Sequence, residues 1–168
     1  DPPFVRTEDL GIDVPHRVFP TQSSVRAGRS MFGSPGSIQA RQLMTLPYPM
    51  VLAWDTSQKV TRVSCHEKIH ESVQAVLEEV LNAYGIDGIQ ELGLDQYGGA
   101  YNYRKVRGGR SLSIHSWGIA FDFDPVNNRL KWRAPRAKMS GKEYERWWQI
   151  WEAAGFYSLG RALNYDWM

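Results

Sequence analysis

The sequence predicts an α+β fold in which a small antiparallel sheet is flanked by helices. Near residue 50, two short strand-like segments are separated by a polar stretch that is typical of a hairpin loop. Further along, two segments carry apolar residues at helical spacing. Strands and helices do not alternate in the regular rhythm of a parallel sheet, which favours α+β over a doubly wound fold. The 168 residues suffice for one domain with a hydrophobic core.

The first part of the chain differs in composition from the rest. Residues 1–45 are rich in Pro, Gly, Ser and Arg and show little periodic apolar pattern, so we predict an extended N-terminal arm with turns at Pro20 and at residues 34–36. Residues 46–168 are expected to form the compact domain.

A hairpin and a helix are predicted to open this domain. Residues 51–54 and 60–63 are predicted strands, and residues 55–59 are their loop. Ser64 and Glu67 have the spacing of a capping box, and the helix that follows should end at Tyr84 and Gly85. Its apolar stripe consists of Ile69, Val73, Val76, Leu77, Val80 and Leu81. Residues 86–112 are expected to be rich in loops.

The second half is predicted to contain a strand, a helix and a final strand. Residues 118–124 alternate, so that Phe121 and Phe123 face one side while Asp122 and Asp124 face the open side. A helix is expected from Ser140, with a capping box to Glu143, as far as Gly155. Its apolar face consists of Tyr144, Trp147, Trp148, Trp151 and Ala154. Residues 162–167 are a predicted strand.

Composition excludes several classes of protein. A single cysteine, Cys65, excludes an intramolecular disulfide and a cysteine-rich zinc site. A net charge of +2 does not suggest a dedicated nucleic-acid binder. No apolar run approaches the roughly 20 residues of a membrane span. The N-terminus lacks both an initiator Met and the layout of a signal peptide, so we expect a processed or trimmed chain, and export stays open.

His115 and Asp122 are the candidate metal ligands. Zinc takes imidazole nitrogen and carboxylate oxygen in a tetrahedron, and catalytic sites keep one position open. A histidine just before a strand and an aspartate on its open face can converge on one ion, with Gly118 allowing the turn between them. Ala120 would leave room beneath the metal. An isolated pair at this spacing would more often be a loop histidine and a strand-end aspartate.

The residues around the pair favour the metal. From Ser113 to Asp122 the chain matches Ser-x-His-x-x-Gly-x-Ala-x-Asp at every fixed position. This resembles the zinc signature of the D-alanyl-D-alanine carboxypeptidase and L-alanyl-D-glutamate endopeptidase family, which includes phage endolysins. The resemblance implies that His115 and Asp122 bind Zn²⁺ and that Ser113 forms hydrogen bonds nearby. It also implies the small α+β fold that this family shares with the Hedgehog signalling domain.

The resemblance extends in both directions from this signature. Residues 97–104 look like the family segment that carries a cleft arginine, here Arg104, which would bind substrate carboxylate or the developing oxyanion. The alternative is a surface arginine in a basic loop. Asp166 matches the family's general base. By the same resemblance, Tyr103, Ser113 and Trp117 are expected to contact substrate.

The third zinc ligand is the departure from the family pattern. The family places a histidine at the position that would follow Met168. We therefore expect the domain to be truncated there, and this chain to bind zinc poorly and to be a weak or inactive enzyme without that residue.

A second zinc motif competes with the first. His66, Glu67 and His70 read as H-E-x-x-H, the signature of another zinc protease class, for which Glu91 could be proposed as a third ligand. The capping box accounts for Glu67, and His66 falls near the apolar stripe, so we favour structural roles for both histidines. His16, in the arm, is expected to be exposed to solvent.

Three functions follow from these patterns. The resemblance implies a monomeric zinc metallopeptidase that hydrolyses an amide bond in the peptidoglycan stem peptide, with no nucleic-acid or membrane partner. Carboxypeptidase and endopeptidase activities stay open, as do a phage origin and a bacterial periplasmic or extracellular one. The alternatives are a catalytically inactive module of the same fold that binds cell wall or a protein, and an H-E-x-x-H protease acting through His66 and His70.

Overall fold

A four-stranded mixed sheet with flanking helices forms the fold of this α+β protein. The computed structural model describes residues 31–106 and 108–168, so the predictions for His16, Pro20 and the rest of residues 1–30 lie outside the described part. The strands are β1 (Gln42–Leu52), β2 (Asp55–Cys65), β3 (Gln96–Gly99) and β4 (Asp122–Phe123), in the order β2-β1-β3-β4.

The sheet is mixed, whereas we predicted an antiparallel one. β1 pairs with β2, and β3 with β4, in antiparallel fashion, but β1 and β3 run parallel. A long helix between β2 and β3 carries the chain back across the sheet, which permits the parallel pairing. β3 is short and contains two glycines, so its sequence holds no clear strand signal.

The hairpin is longer than predicted, and its turn is Ala53 and Trp54 rather than residues 55–59. β1 buries alternate side chains along its whole length, from Met44 to Met50. Pro47 and Pro49 obscure this pattern in the sequence; they lie where the β1–β2 register is irregular, which suits residues that lack a backbone donor. β1 therefore begins at Gln42, before the domain boundary that we predicted at residue 46.

Helix α1 (His70–Leu92) packs on the sheet through the predicted apolar stripe, of which Val73, Val76, Leu77 and Val80 are fully buried. Its start differs from the prediction, because Ser64 belongs to β2 and His66 caps the preceding turn through a hydrogen bond from the Lys68 N–H. Gly85 interrupts the helix with φ 68°, as expected, but residues 86–92 are helical again.

The second half is less regular than predicted. The strand expected over residues 118–124 is reduced to β4. Helix α2 (Glu145–Ala153) begins after Ser140, whose hydroxyl donates to the Ala137 carbonyl instead of capping a helix. Helix α3 (Leu159–Leu163) covers the start of the strand predicted over residues 162–167, because Ser158 caps a helical turn there, and residues 164–167 form neither helix nor strand. Short 3₁₀ segments are Gln39–Arg41, Glu67–Ile69, Ile114–Trp117, Lys138–Ser140 and Lys142–Tyr144.

An aromatic cluster joins β4 to α2. The predicted apolar face of α2 is buried, and Phe123 meets Trp147 edge to face at 4.9 Å between ring centroids. Phe121 contacts Trp151 at 5.5 Å. Such aromatic pairs each add about 1 kcal/mol beyond the area that they bury. They anchor the phenylalanines of this segment in the core and leave the Asp122 side chain half-buried on the other face.

None of the helices in the described ranges is long and apolar enough to cross a membrane.

Candidate metal centre

His115 and Asp122 lie side by side, with His115 Nε2 and Asp122 Oδ2 separated by 3.3 Å. His115 sits in the 3₁₀ turn Ile114–Trp117, and Asp122 begins β4. The Ser113 hydroxyl accepts a hydrogen bond from the His115 N–H at 3.3 Å, which caps this turn. The buried side chain of Ser113 therefore positions the histidine backbone and forms the local hydrogen bond that we predicted.

Gly118 allows the turn to pack against the rest of the domain. Its φ of 68° closes the 3₁₀ turn, and its N–H donates to the His115 carbonyl at 3.0 Å. A Cβ at this position would collide with the Ala40 carbonyl oxygen and would lie 2.8 Å from the His66 nitrogen. A glycine is required here for both reasons.

The imidazole of His115 is oriented by a backbone carbonyl. His115 Nδ1 lies 2.8 Å from the Ala100 carbonyl oxygen, which can only accept, so Nδ1 carries the proton. Nε2 of the neutral ring then presents its lone pair toward Asp122. Metal-binding histidines are held in this way, with one nitrogen donating to a carbonyl and the other left for the metal.

The electrostatic surroundings favour the neutral ring. Burial lowers the pKa of His115, and the Arg104 guanidinium lowers it further, while the Ala100 carbonyl and the charge of Asp166 act in the opposite direction. The net shift of the His115 pKa is downward, which favours the neutral imidazole that a metal requires. A lone pair and a carboxylate oxygen thus face each other at 3.3 Å.

This pair fits zinc. Two donors on one tetrahedral zinc are expected roughly 3.4 Å apart, given the usual zinc–nitrogen and zinc–oxygen bond lengths. The observed spacing matches that value, and the donor set of neutral imidazole and carboxylate suits zinc. In the described ranges 31–106 and 108–168, no group of three or more His, Cys, Asp or Glu side chains has the geometry to hold a metal. The spacing and chemistry of His115 and Asp122 are thus those of two donors that could share one zinc ion.

Asp166 is brought to the same imidazole by the end of the chain. Its N–H donates to the Leu130 carbonyl at 3.1 Å, and its backbone has φ 55°. The next residue, Trp167, is buried, and its indole N–H donates to the Asn164 side chain at 3.0 Å. Asn164 also accepts from the Ala134 N–H at 2.7 Å. These contacts hold the backbone around Asp166, whose charge acts on His115.

Arg104 lies in the segment after β3, and its guanidinium donates to the Lys105 carbonyl at 3.3 Å. Its backbone is held on both sides, because its N–H donates to the Ser116 hydroxyl at 3.2 Å and its carbonyl accepts from the Ser113 N–H at 2.9 Å. These bonds tie Arg104 directly to the turn that carries His115. His115 and Asp122 are in contact, Arg104 is tied to the same turn through its backbone, and Asp166 acts on His115 through its charge.

Two residues that we predicted to contact substrate, Tyr103 and Trp117, differ from each other in exposure. Tyr103 is exposed, and its ring lies against Gly36, where a Cβ would come within 2.9 Å of it. Trp117, by contrast, is in the core with 1 % exposure, and its indole N–H donates to the Gly33 carbonyl at 2.9 Å. This burial removes Trp117 from the set of substrate contacts, because a ligand cannot reach a side chain that is packed on all sides.

Three residues around the site, Ala100, Tyr97 and Gly98, carried no assignment from the sequence. Ala100 orients His115 through its carbonyl, a backbone contact that residue identity does not encode. Tyr97 is half-buried, and its pKa is raised chiefly by burial, with smaller contributions from Cys65 and from the charge of Asp122. Gly98 packs on Asp122 as well, since a Cβ there would lie 3.0 Å from the Asp122 carbonyl oxygen. Tyr97 begins the segment that the resemblance had already singled out.

The H-E-x-x-H histidines have other partners. His66 Nε2 lies 2.9 Å from the Phe32 carbonyl oxygen, and His66 Nδ1 accepts from the Lys68 N–H. His70 Nε2 lies 3.0 Å from the Cys65 carbonyl oxygen and 3.2 Å from that of Gln42. Both Nε2 atoms therefore hold backbone in place instead of converging on a metal, which supports the structural roles that we favoured.

Comparisons with protein-family models find no match, and neither curated proteins nor solved structures show a significant similarity to this chain.

Proposed function

We propose that this protein is a zinc-dependent peptidase that hydrolyses an amide bond in the stem peptide of peptidoglycan. The observation that carries the proposal is the facing pair of His115 Nε2 and Asp122 Oδ2 at 3.3 Å, with the histidine tautomer set by the Ala100 carbonyl. Residues 113–122 also match the zinc signature of cell-wall peptidases, which is why we interpret this pair as zinc ligands.

Each residue of the site has a separate role in this proposal. When bound, zinc supplies a Lewis acid that polarises the scissile carbonyl and makes water a nucleophile near neutral pH. His115 and Asp122 would hold it. Asp166 accepts the proton of the attacking water and passes it to the leaving amine. Arg104 grips a substrate carboxylate or the developing oxyanion with its planar guanidinium, a contact worth about 3 kcal/mol in hydrolases.

The finer fold and the place of action belong to the same proposal. The sheet is mixed and has flanking helices, and Asp122 of the candidate ligand pair lies on β4. Both features are compatible with the fold shared by the Hedgehog domain and the cell-wall peptidases. We place the protein at the bacterial cell wall, where it acts as a phage lysin or as a periplasmic or extracellular enzyme.

Digestion of purified peptidoglycan tests the proposal. The chain is extended by the histidine that the family pattern places after Met168, loaded with zinc, and incubated with wall fragments. New amine termini are expected, and their identity separates the two activities: free D-alanine for a carboxypeptidase, an exposed glutamate amine for an endopeptidase.

His115→Ala should abolish this release, whereas His70→Ala should preserve it in the fraction of protein that folds. Release of amine termini that is undiminished in His115→Ala would overturn the proposal. Retention on the wall without any release would identify a non-catalytic binding module instead.

A further inference from the structure

Five cations are concentrated in the loop that connects β4 to α2. Residues 129–138, here called the basic loop, contain five of the chain's 20 lysines and arginines and no acidic residue. All five side chains are exposed, and none forms an ion pair with the described part of the chain. They are Arg129, Lys131, Arg133, Arg136 and Lys138. A protein with a net charge of only +2 thus carries a strongly positive patch.

The basic loop is held in a defined shape. Its base is closed by Asn128, which is fully buried, donates to the Asp124 carbonyl at 2.9 Å and accepts from the Met139 N–H at 2.7 Å. The Lys138 N–H donates to the Asn127 carbonyl across the same base. Trp132 packs against the core from within the loop. The cations are therefore displayed on a fixed scaffold, which lowers the entropy cost of binding.

Two of the arginines are stacked on the tryptophan. The Arg136 guanidinium carbon lies 4.2 Å from the centre of the Trp132 ring, and that of Arg129 lies 5.5 Å away. Stacking fixes a guanidinium plane and leaves its N–H edges for an anion, where they match the oxygens of a phosphate group. It also covers the indole, so the ring is not available as a platform for stacked bases. This arrangement favours phosphate over nucleobase recognition.

The basic loop also adjoins the candidate metal centre. The Leu130 carbonyl accepts the Asp166 N–H at 3.1 Å, and the Ala134 N–H donates to Asn164 in the same terminal segment. An anionic polymer bound to the loop would therefore be held beside the site.

We propose that the basic loop is an electrostatic docking surface for a phosphodiester polymer attached to the cell wall. This inference rests on the proposed function, because the cell wall is where the stem peptide occurs. Bound polymer raises the local concentration of stem peptide at His115 and Asp122, in the way that a second binding site raises effective concentration. The surface acts through charge, so its contribution falls as salt rises.

Sedimentation with purified wall tests the proposal. Wall that carries its phosphodiester polymer is compared with wall from which acid extraction has removed it. The protein should bind the complete wall on the order of tenfold more tightly at low salt, and the difference should disappear at high salt. Equal binding to both walls would overturn the proposal, as would a preference for the complete wall that stays unchanged at high salt.

Two pairs of substitutions locate the surface. Arg129→Gln with Arg136→Gln, and separately Lys131→Gln with Arg133→Gln, should each weaken binding to the complete wall about fivefold, in line with two exposed ion pairs. The second pair lies outside the stack on Trp132, so it reports on the surface even if the first disturbs folding. Lys59→Gln with Arg62→Gln, both exposed on β2 at the opposite edge of the sheet, removes the same charge elsewhere and should change binding less than twofold. Similar losses in all three variants would refute a localised surface.

Hydrolysis of a short soluble stem peptide by the extended, zinc-loaded chain separates this proposal from the previous one. All three charge variants should keep the wild-type kcat/KM on that substrate. If the basic-loop variants bind the complete wall more weakly than the parent but the parent does not hydrolyse the peptide, the peptidase proposal is contradicted and the docking surface is supported. If the parent hydrolyses the peptide but the basic-loop variants bind the wall as tightly as the parent, only the docking surface is contradicted.

Discussion

The Ala100 carbonyl oxygen lies 2.8 Å from His115 Nδ1, and this contact decides which nitrogen of the imidazole faces Asp122. Because the carbonyl can only accept, Nδ1 holds the ring proton and Nε2 is the donor atom for a metal. The two atoms come from segments 15 residues apart in the chain. The chemistry of the candidate site thus depends on a backbone atom as much as on the signature residues.

Metal affinity should depend on His115 and Asp122 and not on the H-E-x-x-H motif. We expect His115→Ala and Asp122→Asn, in the chain extended after Met168, to weaken zinc binding about 100-fold or more, since even outer-shell substitutions cost 10- to 100-fold. Competition with a chromogenic chelator measures this. His70→Ala is the matched control and should bind zinc as the parent does; a loss there equal to that of His115→Ala would contradict the assignment.

Asp166→Asn should separate chemistry from metal binding. The amide cannot accept the proton of the attacking water, so kcat on a stem peptide should fall about 100-fold or more, while the zinc content stays at the parent level. Steady-state kinetics combined with metal analysis distinguishes the two effects. A rise in KM alone, with kcat unchanged, would show that Asp166 contacts substrate but does not transfer a proton.

Gly118→Ala should unfold the site region. The added Cβ would collide with the Ala40 carbonyl oxygen, and the φ of 68° disfavours any side chain, so we expect a loss of about 3 kcal/mol in the free energy of unfolding. Urea denaturation checks this value. Gly108→Ala has a similar φ of 71° but meets nothing within 4 Å, and it should cost only about 1 kcal/mol. Equal costs would mean that close packing at Gly118 is unimportant.

Arg161→Leu should make stability depend on pH through Glu152. The buried carboxylate accepts from Arg161 Nε at 2.8 Å, and burial raises the pKa of Glu152 above its usual value in spite of this partner. Without Arg161 that pKa rises further. The folded state then holds a proton that the unfolded state releases, so stability falls as pH increases through the interval between the unfolded and folded pKa values.

Near pH 7 the loss should be about 3 kcal/mol, and it should shrink below pH 4. Thermal melts across this pH range measure it. Arg146→Leu removes the more exposed partner of Glu79, 3.6 Å away, and should cost less than about 1 kcal/mol at any pH. A loss in Arg161→Leu that does not change with pH would exclude Glu152 as its origin.

Local patterns predicted much of the secondary structure. The apolar stripe of α1, its interruption at Gly85 and the aromatic face of α2 are found where their spacing predicted them, because helix period is a property of neighbouring residues. The prediction of a strand was wrong for residues 162–167, because the first two belong to a helical turn capped by Ser158 and the others form neither helix nor strand.

By itself, the sequence determined the α+β class, the helical faces that form the core and the identity of the chemically distinctive residues from Ser113 to Asp122. Only the tertiary structure decided that β3 runs parallel to β1, that Trp117 belongs to the core, and that the charges of Arg104 and Asp166 act on His115. Each of these depends on contacts between segments that are distant in the chain. Such contacts depend on how whole elements pack and on which backbone groups this packing aligns. Residue spacing within one segment predicts neither the packing nor the alignment.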